Sequence, residues 1–286
     1  MDQNSVPTVI AQISDLHIKP GGAAAYGVVD TAAYLRSCVA FLNEYPIRPD
    51  AIVISGDLVD VGSDEEYAFL RNILKPLQIP FYVIPGNHDE RDSLRRSFPD
   101  HSYLSAHGPL NALVRVRDVD LILLDSSVPG KPHGFLEKES LEFLDTSLAS
   151  QRGRPALVFL HHPPFLTGIR HMDCQNLLNA DELAIILRQH QRTKIIAAGH
   201  VHRTALTLFA GIPATICPSP AHAVALDITP EGPSAFKIEP PGMHLHIWTP
   251  ASKSSPVHSG ELVTHLVPIG DFPGPYPFFD ENGNLL

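Results

Sequence analysis

Five short segments of the chain contain side chains that bind metal ions, and each follows a short apolar run. The segments read ISDLH, ISGDLVD, IPGNHD, FLHHPP and AAGHVH. Their donors are oxygen and nitrogen atoms without a thiolate, and such donors suit Mn, Fe, Co or Zn better than Cu(I) or Ca. The residues that carry them are Asp15, His17, Asp57, Asn87, His161, His200 and His202. These segments therefore predict a metal centre.

The number of candidate ligands indicates two metal ions. A tetrahedral zinc ion takes at most four protein ligands, whereas this set contains two carboxylates, one amide and four imidazoles. Two ions that share a bridging carboxylate fit such a set better. Metal ions about 3.5–4 Å apart clamp the attacking and leaving oxygens of a phosphoryl displacement, and they lower the pKa of a bound water toward neutral. The predicted chemistry is therefore phosphoryl transfer to water.

The apolar runs before these segments predict the strands of an α/β fold. They alternate with helical patterns over the first two-thirds of the chain, which favours a largely parallel sheet buried on both faces. Ligands of such sheets bind beyond the carboxyl ends of the strands. The five segments are therefore expected to converge on one edge, which a purely structural role does not explain. Strands are predicted at Val9–Ile13, Ala51–Ile54, Phe81–Ile84, Leu121–Leu124, Ala156–Leu160 and Ile195–Ala198.

Capping residues predict where three of the helices begin. Asp30 can cap a helix that follows it. Ser63 and Asn179 are each followed three residues later by a glutamate, which is the spacing of a capping box. A further helix is predicted near Glu137–Leu148, where leucines recur at helical spacing.

After about residue 203 the helical patterns give way to short β-prone runs broken by proline and glycine. We divide the chain into a catalytic core, residues 1–210, and a C-terminal β-rich segment, residues 211–286, that completes a second sheet. A proline-rich aromatic tail begins at about residue 271. We expect it to pack on its own subunit or on a partner, helping to form a homodimer, because it lacks the basic residues that anionic lipid attracts. Its aromatic residues are Phe272, Tyr276, Phe278 and Phe279.

Composition disfavours several classes of protein. Lys and Arg number 21 and Asp and Glu number 31, a formal net charge of −10, whereas a groove for long nucleic acid is usually basic. No apolar run reaches the roughly 18 residues of a membrane span. The start of the sequence has no basic region, so we expect no signal peptide. The three cysteines form no CxxC pair, which favours a reducing, cytoplasmic location.

The order of the five motifs (D-x-H, GD, GNHD, H and GHxH) resembles the calcineurin-like metallophosphoesterase superfamily over residues 15–202. The resemblance implies a four-layer αββα sandwich, in which two mixed β-sheets are flanked by helices. It also implies that Asp57 bridges two metal ions and that His88 contacts the phosphate and can protonate the leaving oxygen. The remaining ligands that it implies are Asp15, His17 and His202 for one ion, and Asn87, His161 and His200 for the other.

Differences between this sequence and several branches of the superfamily indicate which branch it resembles. Pro85 and Asp89 stand where protein phosphatases of the superfamily have Arg and Glu, and Asp60 stands where purple acid phosphatases have a tyrosine ligand. Lipid A precursor hydrolases have Arg at the position of His88. The sequence is more similar to bacterial class III cyclic nucleotide phosphodiesterases and the related glycerophosphodiesterases, in particular over residues 161–183.

Further polar residues beside the motifs are candidate supporting or substrate-contacting groups. Asp60 and Asp89 are expected either to orient a ligand histidine or to cap a turn. His162 is expected to support its neighbour His161 or to line the pocket. His171 lies in a segment that shapes the pocket, where it can contact a base or a leaving group. Surface or sheet positions are expected for five histidines that lie outside the motifs: His222, His244, His246, His258 and His265.

We therefore expect a dinuclear metal-dependent phosphodiesterase that acts on small diesters, foremost 3′,5′-cyclic nucleotides such as cAMP, by attack of metal-bound hydroxide. The alternative is a glycerophosphodiesterase or a promiscuous phosphodiesterase with the same site. The net charge of −10 counts against a nuclease. A non-catalytic scaffold on this fold, like the retromer subunit that resembles the family, is disfavoured because such scaffolds lose ligands, and this chain keeps all seven together with His88.

Overall fold

Two mixed β-sheets lie face to face in the computed structural model, which describes residues 6–150, 153–251 and 260–286. No helix of these ranges is both long and apolar enough to cross a membrane. In chain order the elements are β1 (Thr8–Ile13), α1 (Thr31–Glu44), β2 (Ala51–Ser55), α2 (Asp64–Leu74), β3 (Phe81–Ile84), α3 (Arg91–Ser97), β4 (Ala112–Val116), β5 (Val119–Leu123), α4 (Lys138–Ser150), β6 (Ala156–Phe159), α5 (Arg170–Asp173), α6 (Ala180–Gln189), β7 (Thr193–Ala198), β8 (Ala205–Phe209), β9 (Ile212–Ile216), β10 (Ala223–Val224), β11 (Phe236–Lys237), β12 (Gly242–Thr249) and β13 (Glu261–Pro268).

The parallel strands are divided between two sheets. The five-stranded sheet has the order β13-β12-β1-β2-β3, in which β1, β2 and β3 are parallel. The six-stranded sheet has the order β4-β5-β6-β7-β9-β8, in which β5, β6, β7 and β9 are parallel. The prediction of one largely parallel sheet is therefore wrong, because apolar runs identify strands but not the sheet that each one joins. The two mixed sheets implied by the resemblance are confirmed.

Three apolar layers hold the sheets and helices together. Between the sheets, Ile10 and Val53 of one pack with Leu121 and Phe159 of the other. Helices α1 and α2 cover the outer face of the five-stranded sheet, and α4 and α6 cover that of the six-stranded sheet. Strands such as β1, β2 and β5 are buried along their whole length, so most of their residues are apolar and do not alternate with exposed polar ones.

The helix N-termini follow the predicted caps at two positions and differ at the third. The Asp30 side chain accepts a hydrogen bond from Ala33 N (2.8 Å), and Ser63 forms a complete capping box with Glu66. Asn179 precedes α6 but makes no capping bond. Its side-chain amide instead bonds to both backbone polar groups of Leu136 (2.9 Å each). The predicted capping box is wrong at Asn179 because its side-chain amide hydrogen-bonds to Leu136, which is distant in sequence, instead of to the first turn of α6.

The strands after residue 203 contribute to both sheets. β8 and β9 extend the six-stranded sheet, whereas β12 and β13 extend the five-stranded sheet. The division into residues 1–210 and 211–286 falls in the turn between β8 and β9 and remains a prediction. The aromatic side chains of the tail are exposed: Phe272 by 59%, Tyr276 by 75%, Phe278 by 79% and Phe279 by 57%. They do not pack on the core of their own subunit.

Candidate metal centre

The five motifs lie at the carboxyl ends of five parallel strands, three in one sheet and two in the other. Because the sheets face each other, the loops after these strands meet at one edge of the sandwich. The motif residues are Asp15 and His17 after β1, Asp57 after β2, Asn87 and His88 after β3, His161 after β6, and His200 and His202 after β7.

One group of candidate ligands contains Asp15, His17, Asp57 and His202. Each is buried and offers a ligand atom within 4.8 Å of the others. The Nε2 atoms of His17 and His202 lie 3.2 Å apart. His17 Nε2 lies 3.6 Å from Asp57 Oδ2, and His202 Nε2 lies 3.5 Å from Asp15 Oδ1. Two carboxylates and two imidazoles that converge in this way form a donor set for a divalent cation.

A second group lies on the other side of Asp57. His161 Nε2 is 3.3 Å from Asp57 Oδ2, so this carboxylate faces both groups. The atoms Asn87 Oδ1 and His200 Nε2 are buried and have no hydrogen-bond partner among the described residues. Buried polar atoms are normally paired, so these atoms fit a cation. His161 Nδ1 donates to the Ser55 carbonyl oxygen (2.9 Å), which directs Nε2 into the site.

His162 belongs to the same cluster, since it offers a ligand atom within 4.8 Å of those of His161 and His200. Its Nδ1 is bound to Ser126 Oγ (2.8 Å), and its ring packs edge-on against His161 with 4.9 Å between centroids. Gly134 makes room for the ring, because a Cβ there would lie 2.4 Å from His162 Cγ. His162 is thus fixed beside both histidines of the second group.

Three of the four candidate histidine ligands have a protonation state that suits a metal ion. Burial lowers the pKa of His17 and of His200 to about 3 and holds that of His202 well below its usual value, so all three are neutral, the form that binds metals. Burial opposes the ionisation of Asp57, but the imidazoles around it, His161 foremost, hold its pKa well below the usual range. Burial also disfavours the charged form of His161 and so lowers its pKa, but the neighbouring Asp57 carboxylate outweighs this effect and raises the pKa to about 9. A cation at His161 would replace that proton.

Most of the candidate ligands have a backbone conformation that residues other than glycine rarely adopt. Such conformations cost about 1–3 kcal/mol each and persist only where the surrounding structure requires them. The loops after β2 and β3 also approach each other closely, because a Cβ atom at Gly86 would lie 2.1 Å from Asp57 Oδ1. The ligands with positive φ are Asp15 (58°), His17 (44°), Asp57 (49°), His200 (74°) and His202 (55°).

His88 lies at the mouth of the centre. Its backbone N–H donates to Asp57 Oδ1 (2.9 Å), and its Nδ1 donates to the Asp60 carbonyl oxygen (2.6 Å). Burial lowers the pKa of His88, but Asp57 and Asp60 outweigh this effect and raise it. The Asp60 carboxylate pairs with Lys19 and lies 3.9 Å from His17 Nδ1. His17, Asp60 and His88 also offer three ligand atoms within 4.8 Å of one another.

Asp89 connects the loops that carry Asp57 and Asn87. Its carboxylate accepts hydrogen bonds from Gly86 N (2.8 Å) and Leu58 N (3.1 Å). The Tyr67 hydroxyl donates a further bond to it (2.7 Å). The bond from Gly86 N is that of a turn cap, whereas the bonds from Leu58 and Tyr67 join separate segments of the chain.

A cavity of about 370 Å³ opens onto the centre. On one side it is lined by residues of the α5 segment, among them His171 and Gln175. On the other side lie Tyr26, His222 and Phe236, which pack on one another with centroids 4.9–5.5 Å apart. We call these three residues the aromatic wall.

His222 differs from the expectation of a surface or sheet position. It is only 3% exposed, and its ring lies 4.5 Å from that of His202. His222 follows β9, which is parallel to β7, so the strand-end argument that identifies the other histidines applies to it too. His244 and His246 lie buried on β12 and His265 lies exposed on β13, as expected, and His258 lies outside the described residues.

Comparisons with known proteins found a matching family profile, similar curated proteins and a similar solved structure. A family profile described as calcineurin-like phosphoesterase matches residues 8–204. The chain is 38% identical over 279 residues to a probable glycerophosphodiester phosphodiesterase, GpdQ, of Arcobacter nitrofigilis, covering 97% of this chain and 99% of the relative. It is 32% identical to a cAMP/cGMP dual specificity phosphodiesterase of Mycobacterium tuberculosis, covering 78% and 71% of the two chains. A dimetal phosphatase from Danio rerio has a similar fold, with a TM-score of 0.62 and 16% identity over 92% of this chain and 99% of that one.

Proposed function

The chain belongs to the calcineurin-like phosphoesterase family, and on this premise we propose that it hydrolyses small phosphodiesters at a centre of two divalent metal ions. The observation that supports two ions best is the position of Asp57, whose Oδ2 lies 3.6 Å from His17 Nε2 and 3.3 Å from His161 Nε2. A single carboxylate that lies between two groups of imidazoles is suited to bridging two metal ions.

We assign the ligands in two sets that share Asp57. Bound divalent ions would supply Lewis acidity and lower the pKa of a coordinated water. The oxygen and nitrogen donors favour Mn, Fe, Co or Zn as the metal. The first set is Asp15, His17 and His202, and the second is Asn87, His161 and His200. His162 lies beside the second set and supports His161.

His88 is proposed to contact the phosphate and to protonate the leaving oxygen. Its Nδ1–H is held by the Asp60 carbonyl oxygen, so Nε2 is the nitrogen available to a substrate in the cavity. Nε2 donates a proton only when the ring is charged. Asp57 and Asp60 favour that charged form by raising the pKa of His88 against the effect of burial.

Cyclic 3′,5′-nucleotides are our first candidate substrates, and the aromatic wall supports them. Tyr26 is 53% exposed at the cavity, and an aromatic face of this kind can stack with a nucleobase. Glycerophosphodiesters are the second candidate, since the relative matched over 99% of its length is named for that activity.

A substrate panel on metal-reconstituted protein tests the proposal. It compares kcat/KM for cAMP, cGMP, 2′,3′-cyclic nucleotides, glycerophosphocholine and a nitrophenyl diester. We expect turnover of the aryl diester and of at least one natural class, and the ratio of cAMP to glycerophosphocholine separates the two candidates. Failure to cleave any diester at saturating metal would overturn the proposal.

An Asn87→Ala variant is expected to lose activity steeply and to recover part of it with excess Mn²⁺. Asn87 Oδ1 is a buried oxygen without a hydrogen-bond partner among the described residues, and losing a neutral ligand weakens one metal site more than it weakens the fold. The loss of affinity should exceed the about 10–100-fold that removal of a group supporting a ligand causes. Calorimetric Mn²⁺ titration measures it, with Asn72→Ala on the exposed side of α2 as the control. Full activity at trace metal would exclude Asn87 as a ligand.

We also propose a homodimer in which the tail contacts the partner. The tail follows the edge strand β13 in the chain, and its aromatic side chains are exposed, as are Val263 by 42% and Leu266 by 53% on that strand. Exposed apolar surface in this quantity supports an interaction site.

A protein that ends at Gly270 is expected to change its oligomeric state or lose solubility, because truncation exposes whatever surface the tail covers. Metal-dependent diesterase activity should survive, since all proposed ligands precede residue 203. Light scattering and activity are measured together, with a full-length Phe278→Ser, Phe279→Ser variant to separate tail length from tail chemistry. Unchanged stability and oligomeric state in the truncated protein would contradict the role of the tail.

Cysteine usage supports a reducing compartment. Cys38, Cys174 and Cys217 are all free, and two of them are buried. We therefore propose that the protein works in the cytoplasm, where thiols stay reduced.

A further inference from the structure

A glutamine lies between the two sheets, directly behind the metal centre. Gln12 is fully buried on β1, where its neighbours are mostly apolar residues of the inter-sheet core. Burying an amide is unfavourable unless its polar atoms are hydrogen-bonded. Its Nε2 donates to Ser55 Oγ (2.9 Å) and to the Ala198 carbonyl oxygen (3.1 Å), and its Oε1 accepts from His246 Nε2 (3.2 Å).

The residues that Gln12 contacts through Nε2 terminate two strands that carry ligands. Ser55 is the last residue of β2, two residues before Asp57, in the five-stranded sheet. Ala198 is the last residue of β7, two residues before His200, in the six-stranded sheet. One amide group thus joins the two sheets at the ends from which their ligands project.

Ser55 also contacts a ligand directly. Its carbonyl oxygen accepts the hydrogen bond from His161 Nδ1 (2.9 Å), while its hydroxyl is the group that Gln12 holds. The position of the Ser55 backbone therefore affects both Asp57, two residues later, and the orientation of the His161 ring. Groups that hold the second nitrogen of a ligating histidine strongly affect metal affinity.

The orientation of the Gln12 amide is itself fixed from the other side. Because the Ala198 carbonyl can only accept, the amide nitrogen of Gln12 faces it and Oε1 faces His246, so His246 Nε2 donates to Oε1 and its Nδ1 accepts from Thr264 Oγ1 (2.8 Å) on β13. The side chain cannot flip without losing this bond and both bonds from Nε2. The chain of contacts runs from β13 through β12 and β1 to the ligand-bearing ends of β2 and β7.

We propose that Gln12 is a positioning residue, whose amide sets the separation of the two sheets at their ligand-bearing ends and so fits the two groups of ligands to the metal ions. The proposal rests on the function proposed above. A constellation of this kind needs its ligands held within about 0.5 Å of the productive geometry. A purely structural role would lower stability without a specific effect on metal binding.

The test compares Gln12→Met, which keeps the length of the side chain and removes its hydrogen bonds, with Ile10→Ala. Ile10 lies on the same face of β1, opposite His246 on β12, and in the same inter-sheet core, so its truncation destabilises that core while every hydrogen-bonding partner of Gln12 is kept. Calorimetric Mn²⁺ titration, thermal unfolding and the separate values of kcat and KM are measured for both. A Ser55→Ala variant, which removes one partner of Gln12 with little change of volume, provides a milder perturbation should Gln12→Met fail to fold.

We expect Gln12→Met and Ser55→Ala to bind Mn²⁺ at least about tenfold more weakly than wild type. Their kcat should fall with little change in KM, and excess Mn²⁺ should restore part of it. Ile10→Ala should bind Mn²⁺ as wild type does in spite of its lower melting temperature. If the glutamine and serine variants bind Mn²⁺ as tightly as Ile10→Ala, this proposal is wrong while the proposed function stands. Absence of Mn²⁺ binding in the wild-type protein contradicts both.

Discussion

An Asp57→Ala variant is expected to lose both metal ions and to lose more than the about 10²–10³-fold in kcat that removal of one electrostatic stabiliser causes. Asp57 Oδ2 lies between His17 Nε2 at 3.6 Å and His161 Nε2 at 3.3 Å. A bridging carboxylate offsets the repulsion between two dications, so neither ion should bind tightly without it. Elemental analysis of the dialysed protein measures the loss, together with the rate of diester cleavage.

Two further variants make this result specific. Asp57→Asn keeps the shape of the side chain and removes its charge, so it should also lose metal. Asp120→Asn changes another fully buried carboxylate, one that pairs with Arg154 and Arg192 near the amino end of β5. This control should lose stability and keep its metal content. Tight binding of two ions by Asp57→Ala would show that Asp57 is not the bridge.

A His88→Ala variant is expected to keep its metal content and to lose about 10²–10⁴-fold in kcat, the usual contribution of a general acid. The ring of His88 is held by the Asp60 carbonyl oxygen at 2.6 Å, and its Nε2 is the atom available to the substrate. Elemental analysis and steady-state kinetics measure the two effects. His265→Ala, an exposed histidine on β13, is the control. A large loss of metal in His88→Ala would make His88 a ligand instead.

The leaving group decides which role His88 has. A nitrophenolate leaves without protonation, so the loss in His88→Ala should be much smaller for a nitrophenyl diester than for a diester of an alkyl alcohol. The comparison needs kcat for both substrates in the variant and in the wild type. An equal loss for both would assign His88 to stabilising phosphate charge alone.

The strand-end rule explains why so much of the candidate site can be predicted from sequence. The parallel strands are mostly apolar and end abruptly, and the polar residues that follow them are few enough to be recognised. The same rule also applies to His222 after β9, but the neighbouring prolines and the absence of a motif obscure it. Tyr26 and Phe236 carry no sequence signal, because an aromatic residue in a loop predicts neither a cavity wall nor a packing partner.

The assignment of strands to sheets depends on contacts that local patterns do not contain. β1 pairs with β12, which is more than 200 residues later in the chain, and nothing in either apolar run specifies that partner. Asn179 illustrates the same limit on a smaller scale, because its amide binds Leu136 rather than its own helix. The left-handed backbone of the ligands is also set by tertiary structure, since aspartate and histidine alone do not specify it.

Titration of chelator-treated protein with Mn²⁺ tests the central claim most directly. Bound metal and the rate of diester cleavage are measured in the same samples, with cAMP, glycerophosphocholine and a nitrophenyl diester as substrates. Two groups of ligands that share Asp57 predict binding of two equivalents of metal and activity that reaches its maximum only when the second is bound. Saturation of activity at one equivalent, or diester cleavage by the metal-free protein, would contradict a dinuclear centre.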